Sequence, residues 1–459
     1  MIKYLINPNS AVQHSICGPY TRSRKRRSLF NIDVMHSRSR NNRNLSRREF
    51  LKVATFAAGS LITGCGLGRP RDGRITLTQW YHQYGETGTQ DAVMRYAAEY
   101  TRLNPKIEIR VVWVPGDYGS KLSTAMLTPN GPDIFESSGP LAAMVGAGQL
   151  ASLDDLFTPD IRADFSPEDI TGNSVDGKIY AVKMLDDVGL LYYRKSVLAA
   201  AGLTPPSTMP ELFDAAKKLT TETRKGLFVG NDAGMSALWS LLPWSAGADF
   251  LVDNKIVFDN PRTLAAYEWL RTLGNSDALL VGAPSDWWDP SAFVQGLTAM
   301  QWTGLWAFPQ IKKALGDDVG AVPWPALDSA GKPVTFIGGW SQMVNAQGPH
   351  VDEAKKFVHW LWIENQRNQL DWNLSYGFHV PPRRSLVKLA NPLKAPVPSV
   401  AVMAMSTGGK FMPNLWNNAM NTAVMDALTN SLKRGEPLAP EIKNAAAKCR
   451  RELDRALEG

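Results

Sequence analysis

The chain has 459 residues and a formal net charge of +7, from 50 Lys/Arg against 43 Asp/Glu. That excess sits in the first 64 residues, which hold 12 of the basic and 2 of the acidic side chains. Residues 65–459 carry 38 against 41, a net charge of −3, which excludes the basic footprint of a nucleic-acid binder.

The N-terminus reads as a processing segment. Ser46-Arg47-Arg48-Glu49-Phe50-Leu51-Lys52 resembles the twin-arginine export signal. Leu61-Ile62-Thr63-Gly64-Cys65 resembles a lipobox, in which cleavage leaves the cysteine as a lipid-modified N-terminus. Between them, residues 53–62 are too few to span a bilayer, which takes about 20 apolar residues. The expectation is a signal segment over 1–64, with Arg47 and Arg48 as export signal and Met35 an alternative start to Met1. The rest is then tethered through Cys65 to a membrane surface outside the cytoplasm. With Cys17 removed and Cys65 acylated, Cys449 has no intrachain partner. The remaining length exceeds the roughly 250–300 residues at which one core usually divides, so two lobes are expected.

A strand–helix–strand pattern follows. Residues 74–80 alternate Ile75, Leu77 and Gln79 as a strand. Gly85 and Gly88 open a loop, and Val93, Tyr96, Ala97, Tyr100 and Leu103 recur at helical spacing until Asn104-Pro105. Residues 107–114 predict a second strand, 118–127 a helix, and Gly131-Pro132-Asp133-Ile134-Phe135 a turn into a buried strand. Such alternation predicts an α/β sheet whose ligands gather at the carboxyl ends of its strands. At the C-terminus, Met420, Ala423, Val424, Ala427 and Leu428 form one helical stripe. Ile442, Ala445, Ala446, Cys449, Leu453 and Leu457 form another, which makes Cys449 a packing residue.

Enzymatic signatures are missing: no G-x-S-x-G, H-E-x-x-H, C-x-x-C or P-loop occurs. His82, His350, His359 and His379 have no metal-ligand spacing, so no metal or cofactor is expected and they read as surface or hinge histidines. The paired acids Asp154-Asp155 and Asp186-Asp187 could serve a glycosidase, but sequence neighbours point apart and Asp154-Asp155 suits a helix start. What the chain has in excess is tryptophan, 15 in all and none before residue 80. Trp80, Trp244, Trp287-Trp288, Trp302, Trp306, Trp340 and Trp416 lie in segments punctuated by Gly and Pro. Such indoles can wall a site for sugar rings, which have an apolar C–H face and a hydroxyl rim, although tryptophans are on average heavily buried.

The ordered segments of residues 74–459 resemble the maltose-binding (family 1) type of extracellular solute-binding proteins that serve ABC importers. Gly131-Pro132-Asp133-Ile134-Phe135 resembles the family's G-x-P-D strand, and Gly148-Gln149-Leu150-Ala151-Ser152-Leu153 its G-x-L-x-x-L helix ending. Asp176-Gly177-Lys178-Ile179-Tyr180 is similar to its approach to the hinge, with Lys183 where proline is usual. Leu191-Tyr192-Tyr193-Arg194-Lys195 resembles l-Y-Y-N-K, with Arg194 in place of asparagine, and Met209 replaces a tryptophan after Pro205-Pro206-Ser207-Thr208. Gly296-Leu297-Thr298-Ala299-Met300 with Gly304-Leu305-Trp306, Pro323-Trp324-Pro325, Gly338-Gly339-Trp340 and Phe411-Met412-Pro413-Asn414 complete the series.

The resemblance implies an α/β, two-lobed periplasmic-binding-protein (type II) fold hinged by crossover strands. Lobe 1 would be 65–184 with 326–380, and lobe 2 would be 185–325 with 381–459. It implies a lipid-anchored monomer, not an enzyme, that closes on a sugar or oligosaccharide and delivers it to permease subunits. An anchored glycosidase using Asp186 or Asp187 with Glu86, or a site for a polyamine or polyol phosphate, stays open. By position the resemblance makes Trp306 the sugar-stacking residue and Trp340 the next. Asp187, or Asp186 beside it, would be the acidic group past the hinge strand, and Glu86, Tyr84 and Ser138 polar groups from lobe 1. Trp244, Trp302, Trp416 and Arg383 are weaker candidates.

Overall fold

The computed structural model describes residues 73–128, 131–413 and 415–458. Arg47, Arg48 and Cys65, with the expected signal segment and tether, lie outside the described residues. No helix among those described is long and apolar enough to cross a membrane.

Nine strands of three or more residues occur among the described residues. They are β1 (Ile75–His82), β2 (Ile107–Val114), β3 (Ile134–Ser137), β4 (Ala181–Lys183), β5 (Gly189–Arg194), β6 (Lys225–Phe228), β7 (Thr298–Gly304), β8 (Val319–Val322) and β9 (Ser341–Val344). One sheet runs β2-β1-β3-β9-β4 and the other β8-β5-β7-β6. In the first, β1 is parallel to β2 and β3, with Ile75 opposite Ile107 and Gln79 opposite Ile134. β9 enters antiparallel between β3 and β4. In the second, β5 and β7 pair antiparallel, with Gly189 opposite Gly304.

Each sheet has its own core. Leu77, Tyr96, Phe357 and Trp372 pack behind the first. Leu212, Trp302, Val424 and Cys449 pack behind the second. The helix Thr89–Leu103 buries Val93, Tyr96, Ala97 and Tyr100, the stripe its spacing predicts, whereas Leu103 is exposed. Both C-terminal stripes bury likewise, except Leu457, which is exposed.

The chain passes between the sheets three times, and the passages hydrogen-bond to one another. Residues 184–188 form the first. Asp186 exchanges both backbone hydrogen bonds with Val380 at 2.9 and 3.1 Å, and the Gly338 N–H donates to the Asp187 carbonyl at 2.9 Å. The return passage belongs to the second lobe further along than expected: Leu327 and Val334 pack in that lobe's core, and Thr335 and Phe336 pair with Gly409 and Lys410. The change of lobe comes around Ile337 rather than at 325/326. Gly339 lets the passages approach, since a Cβ there would lie 2.1 Å from the Leu185 carbonyl oxygen and its φ is +112°.

His379 holds the third passage to the first. Its Nδ1 lies 2.8 Å from Asp187 Oδ1 and its Nε2 3.8 Å from Glu86 Oε1, so it ties the loop after β1 to both passages. Burial works against its charge, but the Asp187 hydrogen bond and the two carboxylates outweigh burial and hold the imidazolium above the ordinary histidine value. A pKa raised on folding stabilises fully below the unfolded value of about 6.5 and is lost as pH climbs through the folded value. The stability gap between wild type and His379→Gln should therefore be widest at pH 5–6 and narrow toward pH 9. Denaturant titrations across that range would refute this if they gave a constant gap.

Candidate functional site

β1, β3 and β7 end near the passages, and the residues at those ends build the site. His82 closes β1, with Tyr84 two residues on. Glu136 lies in β3, fully buried, because Ile134-Phe135-Glu136 runs straight through the first sheet. A buried carboxylate needs partners, and this one has three. The His82 backbone N–H and imidazole Nδ1 both reach Oε1 at 2.6 Å, and the Tyr84 hydroxyl donates to Oε2 at 2.8 Å. Burial, then the Glu136 charge, raises the Tyr84 phenol well above its ordinary value, so it stays a donor.

These bonds order three rings. The His82 ring lies between Tyr84, centroids 3.8 Å apart, and Trp340, at 4.0 Å and 23° between planes. Tyr118 meets Trp340 edge-on at 6.2 Å while its hydroxyl donates to the Glu136 carbonyl. Trp340 is thus half-buried, backed by one lobe and fixed in plane.

On the second lobe, β7 ends at Gly304 and a single 3-10 turn places Trp306. A Cβ on Gly304 would fall 1.8 Å from the indole, so only glycine lets Trp306 fold back over its own strand. Its Nε1–H donates to the Trp288 carbonyl at 3.0 Å, and Trp287 and Phe336 flank it at 6.0 and 6.3 Å. Trp306 is also half-buried. Between the two indoles run Phe336, Gly338 and Asp187. A Cβ on Gly338 would touch both the Phe336 ring and the Asp187 side chain, at 3.6 and 3.8 Å.

The structure therefore brings Trp306, Trp340, Asp187, Glu86 and Tyr84 to one region and places the other candidates elsewhere. Asp186 is 2% exposed and turned away from Asp187, beside Lys183 and Asp169. Trp302 is fully buried edge-on against Trp324, because β7 faces the second core at alternate residues. Trp244, 3% exposed, packs edge-on against Phe250 in that core. Trp416 stacks on Trp239 at the margin of the same cluster, and its Nε1–H is spent on Asn421. Arg383 is buried, its guanidinium committed to Asp164 and the Ile363 carbonyl. Ser138 lies exposed just past β3. Sequence reading missed Glu136 and His82; a charge inside an apolar strand was the available signal, because burial forces such a group to recruit donors.

Two α/β lobes joined by three passages, with aromatic rings and carboxylates where they meet, define a two-lobed type II periplasmic-binding fold. Residues 86–361 match the bacterial extracellular solute-binding protein family, and the chain belongs to it. A probable ABC transporter-binding protein of Deinococcus radiodurans is 29% identical over 306 residues, 61% of this chain and 71% of that one. The arabinooligosaccharide-binding protein of Bacillus subtilis is 23% identical, covering 68% and 76%. Among solved structures, the GacH receptor of Streptomyces glaucescens superposes with a TM-score of 0.70 at 24% identity, covering 84% of this chain and 99% of that one. A Thermotoga lettingae solute-binding protein bound with α-D-tagatose gives a TM-score of 0.70 at 21% identity, covering 83% and 100%.

Proposed function

We propose that this protein captures a neutral sugar or oligosaccharide between its lobes and delivers it to an ABC importer, as a monomer tethered through Cys65. The lobes meet near residues 184/185, 337 and 380. The observation that carries this reading is the pair of half-buried indoles, Trp340 set by the first lobe and Trp306 by the second, with Asp187 on the passage between them. A ligand touching both would stabilise the closed arrangement by its differential contact with it. Relatives named for arabinooligosaccharide and maltodextrin binding support the same class, as does the receptor solved with acarbose.

The carboxylates argue against the alternatives. Asp187 and Glu86 both face His379, and Glu136 is surrounded by its own donors. None is left as the free acid and nucleophile of a glycosidase, nor as a row of open charges for a polyamine. Among the described residues, no Lys or Arg bonds these rings or carboxylates to invite a phosphate. Thermal-shift and calorimetric screening against arabino-, malto- and manno-oligosaccharides should find a ligand near micromolar affinity, about −8 kcal/mol. Spermidine and a sugar phosphate should give no shift. Hydrolysis of a saccharide without any binding shift would overturn the proposal.

A further inference from the structure

A cavity of about 970 Å³ is lined by neither Trp306 nor Trp340. Asp169 of the first lobe, Trp244 and Met405 of the second, and Asp186, Ile337 and Val380 of the three passages all face it. Its size falls within the range of small-molecule sites, and its wall mixes apolar side chains with polar and charged ones, among them a buried carboxyl pair at one end.

That polar end is unusual. Asp169 is 4% exposed and Asp186 2%. Asp169 Oδ2 takes the Ser166 hydroxyl at 2.8 Å, while Oδ1 of each carboxyl has no hydrogen-bond donor among the described residues. The Lys183 ammonium stands 3.5 Å from Asp186 Oδ1 but spends a hydrogen bond on the Gly338 carbonyl at 2.8 Å. Two carboxyls thus share one cation and lie against each other. Burial first, then their mutual repulsion, pushes the Asp186 carboxyl well up, and burial raises Asp169. The pair is one positive charge short, which a shared proton supplies when nothing else does.

We propose that this cavity is a second ligand site, for a small organic mono-amine whose ammonium sits on Asp169 and Asp186 and whose apolar body lies along Trp244, Ile337 and Met405. The remaining charged groups facing it are Glu168, Lys332, Arg384 and Lys410. Lys410 is paired with Asp249 at 3.0 Å, and Lys332 and Arg384 are exposed. These outer cations disfavour a second ammonium, so a mono-amine fits and a polyamine does not. Because every passage contributes to the wall, an occupant that fits one hinge angle better than another shifts saccharide affinity. That coupling rests on the saccharide reading; the amine site itself does not.

The test uses 4-phenylbutylamine against the uncharged 4-phenylbutanol, measured by calorimetry without saccharide. The amine should bind at least tenfold more tightly than the alcohol, and more weakly as pH falls and protons reclaim the carboxyls. Asp169→Asn supplies an amide N–H to Asp186 in place of the proton, and should abolish amine binding while leaving saccharide affinity unchanged. Met405→Trp fills the apolar wall without touching the charges and should block the amine as well. Equal binding of amine and alcohol, amine binding unaltered in Asp169→Asn, or no binding of either compound would each overturn the site. A pH-dependent stability with no amine binding would reduce the pair to a proton-sharing contact. If the amine binds but saccharide affinity does not respond, the coupling fails and the site stands.

Discussion

Trp306→Ala is expected to weaken saccharide binding by about 2 kcal/mol, roughly 30-fold, while leaving thermal stability close to wild type. The indole is half-buried and lies outside the interior cluster that contains Trp302. Its truncation removes an apolar plate and the bond to the Trp288 carbonyl at the margin of the cluster around Leu305 and Phe308, not a fully buried side chain. Trp306→Phe keeps a ring but loses that bond, and should fall between. Trp302→Ala should behave in reverse. It removes a fully buried side chain packed on Trp324, at a stability cost of about 3–5 kcal/mol, with saccharide affinity little changed in whatever remains folded. Calorimetric titration beside denaturant unfolding separates the two. A change below threefold in Trp306→Ala would remove this indole from the site.

Glu136→Ala should be the most damaging single change in the first lobe. It strips the acceptor from the His82 backbone N–H, the His82 imidazole and the Tyr84 hydroxyl, which all converge on a fully buried carboxylate. Orphaning buried donors costs about 1–3 kcal/mol each, so a total near 3–5 kcal/mol is expected, seen as a clear drop in unfolding midpoint. Glu136→Gln retains one acceptor oxygen but turns an amide N–H₂ toward a donor, and should lose less. Both should also weaken saccharide binding, because the His82 ring that sets the plane of Trp340 loses its anchor. Chemical denaturation checks the first effect, and near-UV circular dichroism of the indoles checks the second. Near-wild-type stability in Glu136→Ala would mean that the three donors find other partners.

Much of the architecture was legible before any coordinates. Residues 107–114 alternate and are a strand over those residues; the Tyr96–Tyr100 stripe lies on a helix that buries it. Of the tryptophans, Trp306 and Trp340 were set apart by their place in the family resemblance, not by the Gly and Pro around them, which the other candidates share. Trp302 carries the same local cue, two residues before Gly304, yet points the other way. Strand side chains alternate faces, and which face of β7 meets the core depends on β5 lying beside it.

Strand–helix alternation was readable from the sequence by itself, because hydrophobic periodicity and turn residues act over a few neighbouring positions, whereas the two lobes came from chain length and the family resemblance. The tertiary structure alone decided that Asp187 faces His379 while Asp186 faces Asp169. It alone brought Glu136, His82 and Trp340 together from three separate stretches of chain. Adjacent residues on an extended passage point to opposite sides, and the groups that meet them lie up to two hundred residues away. Only packing brings those partners within hydrogen-bond reach.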